Sequence, residues 1–217
     1  MLLLYCMAEA SPNAPLPPRG VRSAAVETLQ HGSILCYLSR YESFPGGAGD
    51  ELMKDALDFH WAINLVFEKT AVFPFRFPTL MKSEEELKQF LATHADAYLA
   101  DLQRLRGQVQ MEIRVTQQPE QIVAENALGT NSGTAYLQRK AAVAQYFAHF
   151  EQLIKSAVQA EWKQRANRYF ALVPRATVAE FRDKINDLGQ ASLRVSGPWP
   201  PTEFVNCYPE ADSHDSE

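Results

Sequence analysis

Gln108–Val115, QVQMEIRV, decides how the chain is read. Val109, Met111, Ile113 and Val115 alternate strictly with Gln108, Gln110, Glu112 and Arg114. Side chains of a strand point to opposite faces in turn, so a period of two predicts a strand with one dry and one wet face. The residues before it have a different period. Ser83 with Glu86 is a capping box, and Leu87, Leu91, Ala95, Tyr98, Leu102 and Leu105 recur at helical spacing as far as Arg106. Gly107 is the natural residue to end that helix. An amphipathic helix feeding a strand points to a sheet with helices on one face.

Reading back toward the amino terminus strengthens this. Leu2–Ala8 is nearly all apolar, as expected of a central strand covered on both sides. Glu9–Gly20 contains Pro12, Pro15, Pro17 and Pro18 and reads as a loop. Arg22–Leu29 and Ser33–Ser39 read as two strands joined through Gln30-His31-Gly32. Asp50 is positioned to cap a helix to about Lys69, with Leu52, Ala56, Phe59, Ile63 and Phe67 on its inner face. Ala71–Phe77 is a further strand, ending in Arg76-Phe77-Pro78-Thr79. Three strands, helix, strand, helix, strand make an α+β sandwich, a modified ferredoxin-like domain. The Pro-rich loop takes the place of the helix expected after the first strand.

The polar stretch Gln117–Gly133 separates this from a second region. The expected organisation is a ferredoxin-like domain over 1–118 and a smaller α+β domain over 119–208. Residues 209–217 form an acidic tail without an apolar anchor, expected to be disordered. The second domain starts with a long helix, Thr134 to about Gln164, carrying Val143, Phe147, Phe150, Ile154 and Ala157 on one face. Arg168–Val173 is a strand. Thr177 and Glu180 form another capping box for a helix ended by Gly189, and Ala191–Val195 is a short strand. It runs into a Pro-rich arm, Ser196–Val205, SGPWPPTEFV. Pro198, Pro200 and Pro201 each fix φ and lack an N–H, so the chain should leave the sheet here as a stiff arm. Trp199 and Phe204 give the arm two large apolar surfaces. It is either a clasp pinning the tail to the fold or a rigid aromatic surface for a partner.

Composition bounds the function. Of the 217 residues 46% are hydrophobic and 22% charged, as in a globular domain, and no apolar run approaches a membrane span. The net charge of −5 argues against nucleic acid, including an RNA-binding variant of the fold. The three cysteines, Cys6, Cys36 and Cys207, have no metal-like spacing and read as reduced thiols of a cytoplasmic protein. There is no GxSxG elbow, no Walker loop, no dinucleotide fingerprint and no HExxH. His60 lies at the edge of a helical stripe with Asn64, not a second ligand, at i+4. Glu84-Glu85-Glu86 complement a helix dipole without requiring an active site. One alternative function is a small-molecule-binding protein or enzyme with a cleft near His60 and Arg76.

The arm's GPWPPxxFV, from Gly197 to Val205, resembles the carboxy-terminal signature of the gas vesicle protein F/L family, with Thr202-Glu203 departing from the Tyr-Ser of that signature. The resemblance is collinear over residues 2–205. Leu2–Tyr5 is similar to the family's first strand. His60 precedes Arg76-Phe77-Pro78-Thr79, where the family has Arg-Phe-Gly-Thr. Leu102–Val115 is similar to its helix-Gly-strand passage, Gly133–Lys140 to its Gly-x-x-Tyr-Leu-x-x-Lys, and Phe170–Pro174 to its Tyr-Leu-Val strand. The resemblance implies two α+β domains and a non-enzymatic accessory protein of gas vesicle assembly, cytoplasmic and vesicle-associated, with no cofactor and no membrane span. It implies binding to the small hydrophobic shell protein and other vesicle accessory proteins. The residues it singles out are Trp199, Pro200, Pro201, Phe204, His60, Arg76 and Thr79.

Overall fold

A computed structural model describes residues 1–44, 48–116 and 133–206. The fold is α+β and falls into two compact units, Met1–Gln108 with the segment starting at Pro200, and Val109–Trp199. The boundary expected near residue 118, the tail 209–217 and Cys207 lie outside the described residues.

The first unit is built on β1 (Leu2–Glu9), β2 (Glu27–His31), β3 (Ile34–Arg40) and β4 (Val72–Met81), with α1 (Asp50–Phe67) and α2 (Glu84–Arg104). The strand order is β2-β3-β1-β4 and the pairings are antiparallel. This is the ferredoxin-like order, and the Pro-rich loop does stand where a helix would follow β1. Central position explains the sequence of β1: Leu2 through Ala8 are buried, so both faces had to be apolar. The loop is tied down by Tyr5, whose hydroxyl accepts from the Val21 backbone N–H at 2.9 Å and lies 2.9 Å from Ser39 Oγ. A Cβ on Gly20 would sit 2.0 Å from that hydroxyl, so a side chain is excluded there.

Several expectations are corrected. β2 begins only at Glu27, because Val21–Ser23 is a 3-10 turn. The first helical residue of α1 is Asp50, with Gly49 at the cap. Its buried residues are Asp55, Phe59, Ala62, Ile63, Val66 and Phe67, and Leu52 is exposed. Asp55 belongs to this face because it pairs with Arg22, Nη2 to Oδ2 at 2.6 Å, and a buried charge needs its partner. Ser83 caps α2 as expected, accepting from the Glu86 N–H, whereas Glu86 accepts from the Lys82 N–H.

The second unit comprises β5 (Gln108–Val115), α3 (Gly133–Ala157), β6 (Glu161–Arg165), β7 (Arg168–Pro174), α4 (Val178–Asn186) and β8 (Leu193–Trp199), in sheet order β6-β7-β5-β8. QVQMEIRV is thus not the closing strand of the first sheet. It is an inner strand of the second, and its polar face is wet only toward the ends: Gln110 and Glu112 are buried, Gln108 is half-buried and Arg114 exposed. Glu112 is accommodated by Arg168, whose Nε and Nη2 donate to its two oxygens at 2.7 and 2.6 Å. This pairing holds the Glu112 carboxyl below its usual range. The long helix ends at Ala157 rather than near Gln164. Glu161–Arg165 instead pairs with β7 as a hairpin that turns through Ala166 at φ 52°. Trp162 draws this strand inward, its ring 6.2 Å from Phe181 of α4. Thr177 does not cap α4 with its side chain; the hydroxyl donates to the Pro174 carbonyl.

Candidate functional site

The arm splits into an exposed and a buried half. β8 does not stop before the prolines. It runs to Trp199, which stands opposite Gln110 of β5. Pro198 is tolerated because β8 is an edge strand, so a missing N–H removes no ladder bond to a further strand. Gly197 is needed at a φ of 115°, and a Cβ there would lie 2.9 Å from the Gln110 carbonyl oxygen. Arg182 of α4 donates to the Gly197 carbonyl. Trp199 is 42% exposed, and its indole N–H donates to Ser196 Oγ at 3.3 Å. A large aromatic is therefore presented on a braced edge.

From Pro200 the chain belongs to the first unit. Pro200 is half-buried and Pro201 buried. The 3-10 turn Thr202–Phe204 closes with the Phe204 N–H donating to the Pro201 carbonyl at 3.0 Å. Phe204 is fully buried and Val205 nearly so. Arg104 of α2 donates to the Phe204 carbonyl. Asp101, also on α2 and buried, accepts from the Asn206 backbone N–H at 2.7 Å and its side-chain amide at 2.9 Å. So Phe204 acts as a clasp within the first unit, whereas Trp199 is left exposed on β8. Sequence reasoning missed Arg104 and Asp101. The available signal was a carboxylate three residues after Tyr98, on the buried face of α2.

His60 stands on α1, and Arg76 and Thr79 stand on β4. His60 is exposed on α1, with its ring 6.2 Å from Phe59. Arg76 is exposed on β4, and Thr79 Oγ1 donates to the Arg76 carbonyl at 2.6 Å. Leu4 pairs with Thr79 and Cys6 with Pro74, so Phe75–Pro78 all stand opposite Tyr5 alone. Phe75–Pro78 is therefore a bulge, closed by Thr79, and Phe77 within it lies on Phe59 with ring centroids 5.1 Å apart. A cleft of about 620 Å³ in the first unit is lined by Arg40, Tyr41, Lys82 and Glu84 among others, and by neither His60 nor Arg76. Its Arg40 is already paired with Glu27 and Glu84.

Cys6 and Cys36 are buried free thiols, and burial pushes both well above the usual thiol range, as befits packing residues. Among the described residues no group of three or more His, Cys, Asp or Glu side chains is arranged to hold a metal. Among them, too, no helix is long and apolar enough to cross a membrane.

Comparison with known proteins gives the family. Two crystal structures of gas vesicle protein GvpF share the fold. The one from Microcystis aeruginosa has a TM-score of 0.76 at 15% identity, covering 95% of this chain and 99% of that one. The one from Anabaena sp. PCC7120 has a TM-score of 0.73 at 12% identity, covering 95% and 96%. No curated protein sequence matches. Residues 1–171 match the family described as gas vesicle synthesis protein GvpL/GvpF. The chain belongs to the gas vesicle synthesis protein GvpL/GvpF family.

Proposed function

We propose that the chain is a non-enzymatic accessory protein of gas vesicle assembly. In this reading it works in the cytoplasm and on the vesicle, binding the small hydrophobic shell protein and other vesicle accessory proteins. The observation that carries this is the family match over residues 1–171. The geometry adds a contact point. Of the arm's large apolar residues, Phe204 is committed to the core, while Trp199 is exposed on an edge strand braced by Arg182. A rigid aromatic beside Pro198 and Pro200 suits an apolar partner surface, since it gains buried area with little loss of side-chain freedom. His60, Arg76 and Thr79 serve the family pattern through the bulge and the α1 surface rather than through catalysis.

The test is co-expression with a tagged shell protein, affinity capture, and comparison of the wild-type chain with Trp199→Ala. Truncation before Ser196 is the wrong variant, because it removes Phe204 from the first unit's core. The expected result is specific capture that falls about tenfold or more for Trp199→Ala with an unchanged circular dichroism spectrum. Capture unaffected by Trp199→Ala would remove the arm as the contact. No capture of the wild-type chain would overturn shell-protein binding itself.

A further inference from the structure

We infer that the outer face of α1 is a self-association surface, on which the α1 of a second copy of this chain packs antiparallel. A surface helix ordinarily has one apolar face toward the core and a polar face toward water. α1 has two apolar faces. The inner one is buried through Phe59, Ala62, Ile63, Val66 and Phe67. Opposite it, Met53, Leu57 and Trp61 recur every fourth residue and are 64%, 62% and 37% exposed. Residues four apart lie one above another on a helix, so these three form a continuous stripe. The stripe exposes on the order of 300–400 Å², the size of the largest apolar patch on a typical monomer, which is often functional.

Charge identifies the occupant. Lys54 and Asp58 flank the stripe on one side, four residues apart and opposite in sign. Two copies related by a twofold axis in the interface bring the same flank of each helix together, running in opposite directions. With the axis level with position 56, Lys54 of each copy meets Asp58 of the other. The same register leaves Leu57 about 3 Å along the axis from its equivalent, and Met53 about 3 Å from level with Trp61 of the second copy, within side-chain reach. It also brings Asp50 level with that Trp61, over which Arg19 lies at 5.2 Å from the ring centroid, adding a second pair of opposite charges. The face is complementary to itself in sign. Two such stripes with their flanking side chains bury about 1,000 Å² in total, at the low end of specific interfaces, so the dimer is a weak, reversible one.

Sedimentation velocity on the full chain from about 1 to 300 µM tests this. The expected result is reversible dimerisation in that range. Leu57→Asp should weaken it at least about tenfold, because the twofold axis places the substitution in the interface twice. Lys54→Glu and Asp58→Lys should each weaken it, and the double variant Lys54→Glu/Asp58→Lys should restore it, since exchanging both charges preserves the pairing. Circular dichroism of each variant confirms an intact helix. A monomer throughout the range overturns the proposal. So does a dimer that Leu57→Asp leaves intact, or single charge reversals that the double variant fails to rescue. If the wild-type chain stays monomeric but captures the shell protein through Leu57, the face docks that partner and not a second copy.

Discussion

Replacing Phe204 by Ala should unfold the first unit far more readily than replacing Trp199, although both sit in one short motif. Phe204 has no exposed surface, so truncation removes a full aromatic side chain from the core. Such changes cost about 3–5 kcal/mol, the spread reflecting how far the surroundings relax into the cavity. Relaxation here is restricted, because Arg104 holds the Phe204 carbonyl and Asp101 holds Asn206. The cost should therefore reach about 4 kcal/mol. Trp199, 42% exposed on an edge, should cost about 1 kcal/mol or less. The chain has two units, so a global melting curve need not be a two-state measurement. Hydrogen exchange at the buried amides of β1 reads the first unit directly. At about 1.4 kcal/mol per factor of ten, Phe204→Ala should speed exchange there roughly a thousandfold. Trp199→Ala should leave it within about tenfold. An acceleration below tenfold for Phe204→Ala would show that the arm is not part of that core.

Two further outcomes concern the second unit. Gly197→Ala should destabilise it by about 2 kcal/mol, since the residue must adopt a φ of 115° with its new Cβ against the Gln110 carbonyl; urea denaturation followed by Trp162 fluorescence reports it, and an effect under 0.5 kcal/mol would count against this register of β8 (roughly the scatter of surface substitutions). Glu112 is held below the usual carboxylate range, chiefly by the Arg168 hydrogen bond. Its charged form therefore contributes stability above about pH 4.5, and that contribution is lost as the pH falls through the lower folded value. The loss should be about 1–2 kcal/mol, discounted because Arg168 is partly exposed. Glu112→Gln should flatten this acid limb, and an unchanged acid limb would show that the pair is not coupled to folding.

The first sheet was legible where burial matched pattern. The unbroken apolar run of β1 announced a central strand, and the prolines after it announced the missing helix. The second sheet was hidden by one short strand. Glu161-Trp162-Lys163-Gln164-Arg165 contains good helix formers and follows a helix without Gly or Pro, so local propensity extended the helix through it. Only Trp162, packing on Phe181, and the turn at Ala166 separate the two, and both depend on tertiary contacts. With β6 restored, the second unit reads strand, helix, strand, strand, helix, strand. Its sheet order then parallels that of the first, β6-β7-β5-β8 beside β2-β3-β1-β4. No internal repeat is visible in the residues, because a shared topology constrains where apolar side chains fall and not which ones they are. The buried Glu112 failed for a related reason: alternation reports polarity, and only the arrival of Arg168 from β7 lets a polar face be dry.

The arm also shows why a sequence signature is a poor guide to which residues make contacts. Gly197 is required by backbone geometry, Pro201 and Phe204 by packing, and Arg182 and Arg104 brace the two sides from separate helices. Every one of these requirements would hold in a protein that bound nothing. Trp199 is the exception: the fold leaves much of it in water, and a large exposed aromatic contributes little to folding. The stripe on α1 follows the same logic, since Met53, Leu57 and Trp61 are likewise apolar where the fold asks only for solubility. What distinguishes the two surfaces is symmetry. Lys54 and Asp58 make the helix face complementary to its own copy. The Trp199 edge has no such self-pairing and is open to a different chain. Under the two proposals one protein carries both contacts at once, one between copies and one toward a vesicle protein.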